Sequence, residues 1–136
     1  MDFGFDDRTR ELHEALNEFL IEHVYPAEPV WARQVAQATD PWARPPVLEE
    51  LKAQARARGL WNLFLPDDEY GAGLTNLQYA PLAELTGRSP HLAPEALNCA
   101  APDTGNMELL ARYGTPEQRE RWLRPLVDGQ LRSALC

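Results

Sequence analysis

Lysine is almost missing from this chain of 136 residues, in which Lys52 is the only one. Arginine supplies the remaining positive charge, and 13 Lys and Arg against 21 Asp and Glu leave a net charge of -8. Binding to a phosphate backbone needs clustered cations that displace counterions, and no basic stripe occurs, so no nucleic-acid partner is expected. Cysteine is nearly as scarce. Cys99 and Cys136 show no paired spacing and have no companion histidines, which excludes a disulfide framework and a zinc site. No apolar run approaches the length of a membrane span, and the acidic N-terminus lacks the basic flank and apolar core of a signal peptide. A cytoplasmic protein without a membrane or metal partner is the expectation.

What remains is ordinary for one globular domain: 44% hydrophobic and 25% charged residues in a length that supports a single core. The clearest helix starts at Asp7. Leu12, Leu16, Phe19, Leu20, His23 and Val24 recur at steps of three and four, opposite Glu11, Glu14, Glu18 and Glu22. Asp6 and Asp7 can cap its start, Pro26 and Pro29 are expected to break or kink it, and Thr39-Asp40-Pro41 ends a weaker continuation through Trp31 and Val35. A second helix should open at Pro45 or Pro46, present Leu48, Leu51 and Ala55, and close at Gly59 with Leu60 folding back.

Leu60 to Pro66 is strongly apolar and too short for periodicity to assign, and it reads as a buried connector, because a single strand would have no partner. Asp67 to Gly73 is a turn. Thr75 or Asn76 caps a third helix through Leu77, Ala80, Leu82 and Leu85, bent at Pro81 and ending at Gly87, followed by an irregular link from Ser89 to Pro94. Thr115-Pro116-Glu117-Gln118 has the form of a capping box, and Trp122, Leu123, Leu126 and Val127 give the following helix its expected buried face. Gln130 to Cys136 alternates and turns apolar, which reads as a first strand.

The stretch from Asn98 to Gly114 fits this pattern least well. Pro102 and Gly105 fall where its helix should continue, beside the small residues Cys99, Ala100 and Ala101. Either a core helix is kinked so that a neighbour can approach, or the kink shapes a site.

Several pieces taken together resemble the acyl-CoA dehydrogenases, in their N-terminal helical domain. They are Gly59-Leu60-Trp61-Asn62 leading to Leu65-Pro66, Tyr70-Gly71-Ala72-Gly73-Leu74, Tyr113-Gly114-Thr115-Pro116-Glu117-Gln118 with Trp122-Leu123, and Ser133-Ala134-Leu135-Cys136. The likeness covers essentially the whole chain. Asn98 to Glu108 is similar to the subgroup that in animals is fused to a kinase-like phosphotransferase domain and is associated with long-chain and hydroxylated acyl substrates. The resemblance implies an all-α, multi-helix, bundle-like domain over residues 1-130, with residues 131-136 opening a middle β-domain.

It further implies FAD as cofactor, an acyl-CoA substrate, electron-transfer flavoprotein as acceptor, and a homodimer or homotetramer. Desaturation removes a proton from the carbon next to the thioester and a hydride from the following carbon. The family's glutamate base belongs to a later domain, so no catalytic residue is expected in this chain, and the fragment alone should be inactive. Leu135 and Cys136 match the start of the segment along the flavin ring, which continues into a Thr-Glu-Pro motif. Ala101, Pro102, Asp103 and Met107 align with the helix bordering the acyl pocket, Asp103 together with Asn106 either bonding a substrate hydroxyl or tying down the kinked backbone. A helical interaction module that lost the chemistry and an acyl-CoA oxidase are the other readings of the same fold.

Overall fold

The computed structural model describes residues 4–40 and 42–134; residues 1–3, Pro41, Leu135 and Cys136 lie outside the description. Helices α1 (Asp7–Phe19) and α2 (Tyr25–Gln37) form one continuous rod through a π-helical turn at Leu20–Val24. Asp6 begins the rod by accepting from the Thr9 amide at 2.7 Å. Pro26 and Pro29 therefore do not break it. In the wide turn the Tyr25 amide reaches back five residues to the Leu20 carbonyl, one position further than an α-helix allows. That wider step makes room where a proline ring would crowd the carbonyl of the preceding turn.

The same device recurs near the C-terminus. Helix α7 (Pro116–Gln118) runs through a π turn at Arg119–Leu123 into α8 (Arg124–Val127), and the Arg124 amide reaches the Arg119 carbonyl just ahead of Pro125. In both places the wide turn ends one residue before the residue that precedes proline.

Helix α3 (Pro46–Ala57) ends as its sequence predicts. Gly59 has φ +70°, its amide bonds the Arg56 carbonyl at 3.0 Å, and the Leu60 amide bonds the Ala55 carbonyl at 2.9 Å, which completes a Schellman ending. Lys52, on this helix, is 3% exposed and donates to Glu49 Oε1 at 3.2 Å. Leu60 to Pro66 forms turns, with Leu60, Leu63, Phe64 and Leu65 buried, so it is the connector expected. In the acidic turn, Asp67 Oδ1 accepts from the amides of Glu69 and Tyr70, both at 2.9 Å. Gly71 passes so close to Leu65 that a Cβ there would overlap the Leu65 carbonyl.

Thr75 and Gln78 cap α4 (Asn76–Thr86) reciprocally, and Thr115 and Gln118 do the same for α7. The link after Gly87 contains a short helix, α5 (Ala93–Ala96). Helix α6 spans Asp103–Tyr113. It corrects the expectation of a kinked helix around Pro102 and Gly105: Pro102 precedes the helix, and Gly105 lies in its first turn.

Helix α1 packs on α4, α2 on α3, α3 on α5, and α6 on α8 with its preceding π turn. Leu16, Phe19, Leu20, Leu51, Leu60, Leu82, Leu85 and Leu92 fill the larger core. Phe64, Leu65, Met107, Leu123 and Leu126 fill a smaller one, and Tyr79 and Cys99 border both. Trp122 does not join the smaller core as its periodicity suggests; it is 45% exposed, because the π turn rotates it off the buried face that Leu123 and Leu126 keep. The described residues contain no β-strand, which fits the all-α expectation, and 131–134 run without pairing to a strand among them.

Candidate functional site

The joint between α5 and α6 is built around two asparagines in left-handed conformation, Asn62 at φ +57° and Asn98 at φ +56°. Asparagine tolerates that region better than most residues, and each side-chain amide then replaces hydrogen bonds that no helix supplies. Asn98 Nδ2 lies 2.7 Å from Asn62 Oδ1, 3.1 Å from the Leu126 carbonyl and 3.2 Å from that of Val127. Asn62 Nδ2 and Trp61 Nε1 also donate to the Val127 carbonyl, at 3.0 and 2.8 Å. A neutral amide knot therefore seats the end of α8 between the two cores. Beside it, burial pushes the Cys99 thiol up to about 11, and burial together with Cys99 raises the Tyr79 phenol as well.

Asp103, the first residue of α6, is 3% exposed and uses both carboxylate oxygens. Oδ1 accepts from the Ser133 amide and the Ser133 hydroxyl, each at 2.6 Å, and Oδ2 accepts from Arg132 Nε at 2.6 Å. The two remaining Arg132 nitrogens fork onto Glu95 at 2.6 and 2.8 Å. Asn106 completes the cluster by donating to Ser133 Oγ at 2.8 Å. Partial burial works against the Arg132 cation, but Glu95 and then Asp103 outweigh it and raise the guanidinium above its ordinary value. Of the residues aligned with the acyl wall, Ala101 is exposed, Pro102 half-buried, and Met107 wholly enclosed in the smaller core. Leu135 and Cys136, the two flavin candidates, lie outside the described residues.

Between α6, the second π turn and the last described residues runs a groove of about 400 Å³ lined by Asn106, Leu109, Trp122, Leu131, Ser133 and Ala134. Leu109, Trp122 and Leu131 are exposed along it. Asn106 stands beside Asp103 in the sequence reading; Glu95 and Arg132 were missed, because each acts on a residue far away in the chain. Their one signal was the position of Arg132 beside the Ser133-Ala134 motif. No group of acidic, histidine or cysteine side chains suited to a metal occurs among the described residues. No described helix is long and apolar enough to cross a membrane.

A helical domain whose last segment is pinned to its α5–α6 joint defines a class, and comparison with known proteins gives the family. Residues 6–130 match the model of the acyl-CoA dehydrogenase N-terminal domain. The chain is 54% identical over 98% of its length to the probable acyl-CoA dehydrogenase FadE2 of Mycobacterium tuberculosis, and 52% identical over 98% to acyl-CoA dehydrogenase family member 10 of Mus musculus. A solved Mycobacterium abscessus structure assigned to the acyl-CoA dehydrogenases superimposes with TM-score 0.88 at 52% identity, covering 98% of this chain. The chain belongs to the acyl-CoA dehydrogenase family and spans its N-terminal domain. It covers 32% of the tuberculosis relative, 13% of the mouse relative and 34% of the solved chain.

Proposed function

We propose that this chain is the N-terminal helical part of an FAD-dependent enzyme that desaturates an acyl-CoA thioester between its α and β carbons, and that it forms one wall of the acyl pocket. One observation carries the reading: Asp103 binds Ser133 directly. The stretch resembling the family's acyl wall and the stretch resembling its flavin-bordering segment are distant in sequence, and this contact joins them into one surface. Residues 131-136 are read as the opening of a following β-domain.

The residues present suit a flat ring with a polar rim. Ser133 and Ala134 are small and lie on non-helical backbone beside the groove, so at these two positions no long side chain of their own keeps a planar group from the main chain. FAD, when bound, supplies the hydride acceptor. Leu135 and Cys136 are the residues of this chain assigned to touch it. Ala101 and Pro102 are assigned to the acyl side, while Met107 anchors α6 in the smaller core and Asp103 fixes its start through three bonds to Arg132 and Ser133. Asp103 has no oxygen left without a partner, which favours the tying role over a bond to a substrate hydroxyl. The proton-abstracting base comes from outside this chain.

Electron-transfer flavoprotein as acceptor, assembly as a homodimer or homotetramer, and a cytoplasmic location belong to the same reading. Expressed at the length of its relatives, the protein should be yellow, and acyl-CoA should bleach the flavin absorbance anaerobically. Absence of bound flavin would refute the reading. Reoxidation by oxygen as fast as by electron-transfer flavoprotein would replace the dehydrogenase with an oxidase.

A further inference from the structure

We propose that Asp103, together with Glu95, Asn106 and Arg132, is a positioning clamp that fixes the backbone at residues 132–134 and so sets the path on which the chain leaves toward the flavin ring. The inference rests on the acyl-CoA dehydrogenase reading above and assigns these four side chains a role within it.

The exit segment has little else to hold it. Leu131, Arg132 and Ala134 are exposed, so apolar burial contributes little, and among the described residues one backbone–backbone bond holds this segment, from the Leu131 amide to the Pro125 carbonyl at 3.2 Å. Polar contacts, by contrast, are saturated. All three Arg132 guanidinium nitrogens are engaged, Nε by Asp103 and the two terminal ones by Glu95. Ser133 is held at its amide and, through one hydroxyl, as donor to Asp103 and acceptor from Asn106.

Ion pairs removed from water add little net stability, since desolvation offsets most of their attraction. Forked arginine–carboxylate bonds are nevertheless strongly directional and define a geometry that leucine packing would leave loose. A segment that needed only to be attached would bury an apolar residue. One that must present its backbone to a rigid planar ring needs its position fixed, and supporting hydrogen bonds of this kind hold a binding backbone in productive geometry.

The test uses the protein at the length of its relatives, loaded with FAD. Asp103→Asn keeps the shape but removes the charge and half of the acceptor capacity. Ser133→Ala removes only the hydroxyl link and should leave the helices intact. Asp103→Asn is expected to weaken FAD retention about tenfold and to shift the flavin visible band and midpoint potential, with Ser133→Ala moving the same quantities less. Circular dichroism of the helical region should stay unchanged. If Asp103→Asn does not fold, Ser133→Ala and Glu95→Gln carry the test by the same readouts. A wild-type protein that takes up no flavin overturns the acyl-CoA dehydrogenase reading and the clamp with it. A wild type that holds FAD while the variants bind it with unchanged affinity, spectrum and potential overturns the clamp alone.

Discussion

Asn98 and Asp103 stand on either side of Pro102, and both reach across to the C-terminal stretch, but by opposite means. Asn98 works with neutral amides, buried between the two cores, and holds the carbonyls of Leu126 and Val127. Asp103 works with charge at the edge of the fold and holds Arg132, whose side chain is 42% exposed, and Ser133. The neutral knot pins a helix end that is already packed; the charged clamp pins a segment with almost no packing of its own. Interior sites favour amides because an unpaired charge there is costly, whereas an edge site can keep a cation solvated on one side.

The comparison can be broken at its deepest point first. Asn98→Ala should lower stability by about 2–4 kcal/mol, because it leaves the buried Asn62 Oδ1 without its donor, removes one bond each from the Leu126 and Val127 carbonyls, and places alanine at positive φ. A urea unfolding midpoint measures this loss. Asn98→Gly separates the two causes, since glycine accepts φ +56° without strain and should recover the backbone part only. Equal losses in the two variants would assign the whole effect to the amide.

Next in size is Asp103→Asn, expected to cost about 1–3 kcal/mol because Arg132 keeps Glu95 and part of its solvent. Raising the salt concentration should shrink the difference between wild type and Asp103→Asn and leave that between wild type and Asn98→Gly unchanged, as screening reaches only the exposed ion pair. A salt response in the amide variant would erase the distinction. Glu95→Gln should be milder still, about 0.5–1 kcal/mol by the same unfolding measurement.

The smallest expected effect is a response of the neutral region to pH. The folded-state value of Cys99, about 11, lies above the ordinary thiol value of 9.0, because burial disfavours the thiolate. The folded protein then holds its proton where the unfolded chain releases it. Stability from this group is complete below pH 9 and falls as pH rises from 9 toward about 11. Cys99→Ala should flatten part of that alkaline decline in a series of thermal melts, and an identical slope would rule Cys99 out as its source.

The parts of this protein that could be read from sequence are those whose partners lie within one turn. The Thr75 and Thr115 caps, the Gly59 ending and the Asp6 start each depend on hydrogen bonds between residues a few positions apart, so the residue pattern fixes them. The leucine periodicity of α1 was legible for the same reason. Prolines misled, because a ring inside a helix predicts a break unless a wide turn relieves the clash, and nothing in Leu20 to Val24 or Arg119 to Leu123 announces such a turn. Trp122 was assigned to the core by a 3.6-residue period that the π turn interrupts.

At the candidate site the balance tips further toward what only folding reveals. The sequence placed Asp103 beside an acyl wall by resemblance and left open whether it meets substrate or backbone. Its partners Glu95, Arg132 and Ser133 belong to other segments and carry no pattern that links them to it. Local hydrogen bonds and apolar periodicity thus determined the helices. Tertiary packing alone decided the two long-range anchors, because a buried amide or carboxylate takes whichever donors the fold delivers to it, and that delivery is written in no single stretch of the chain.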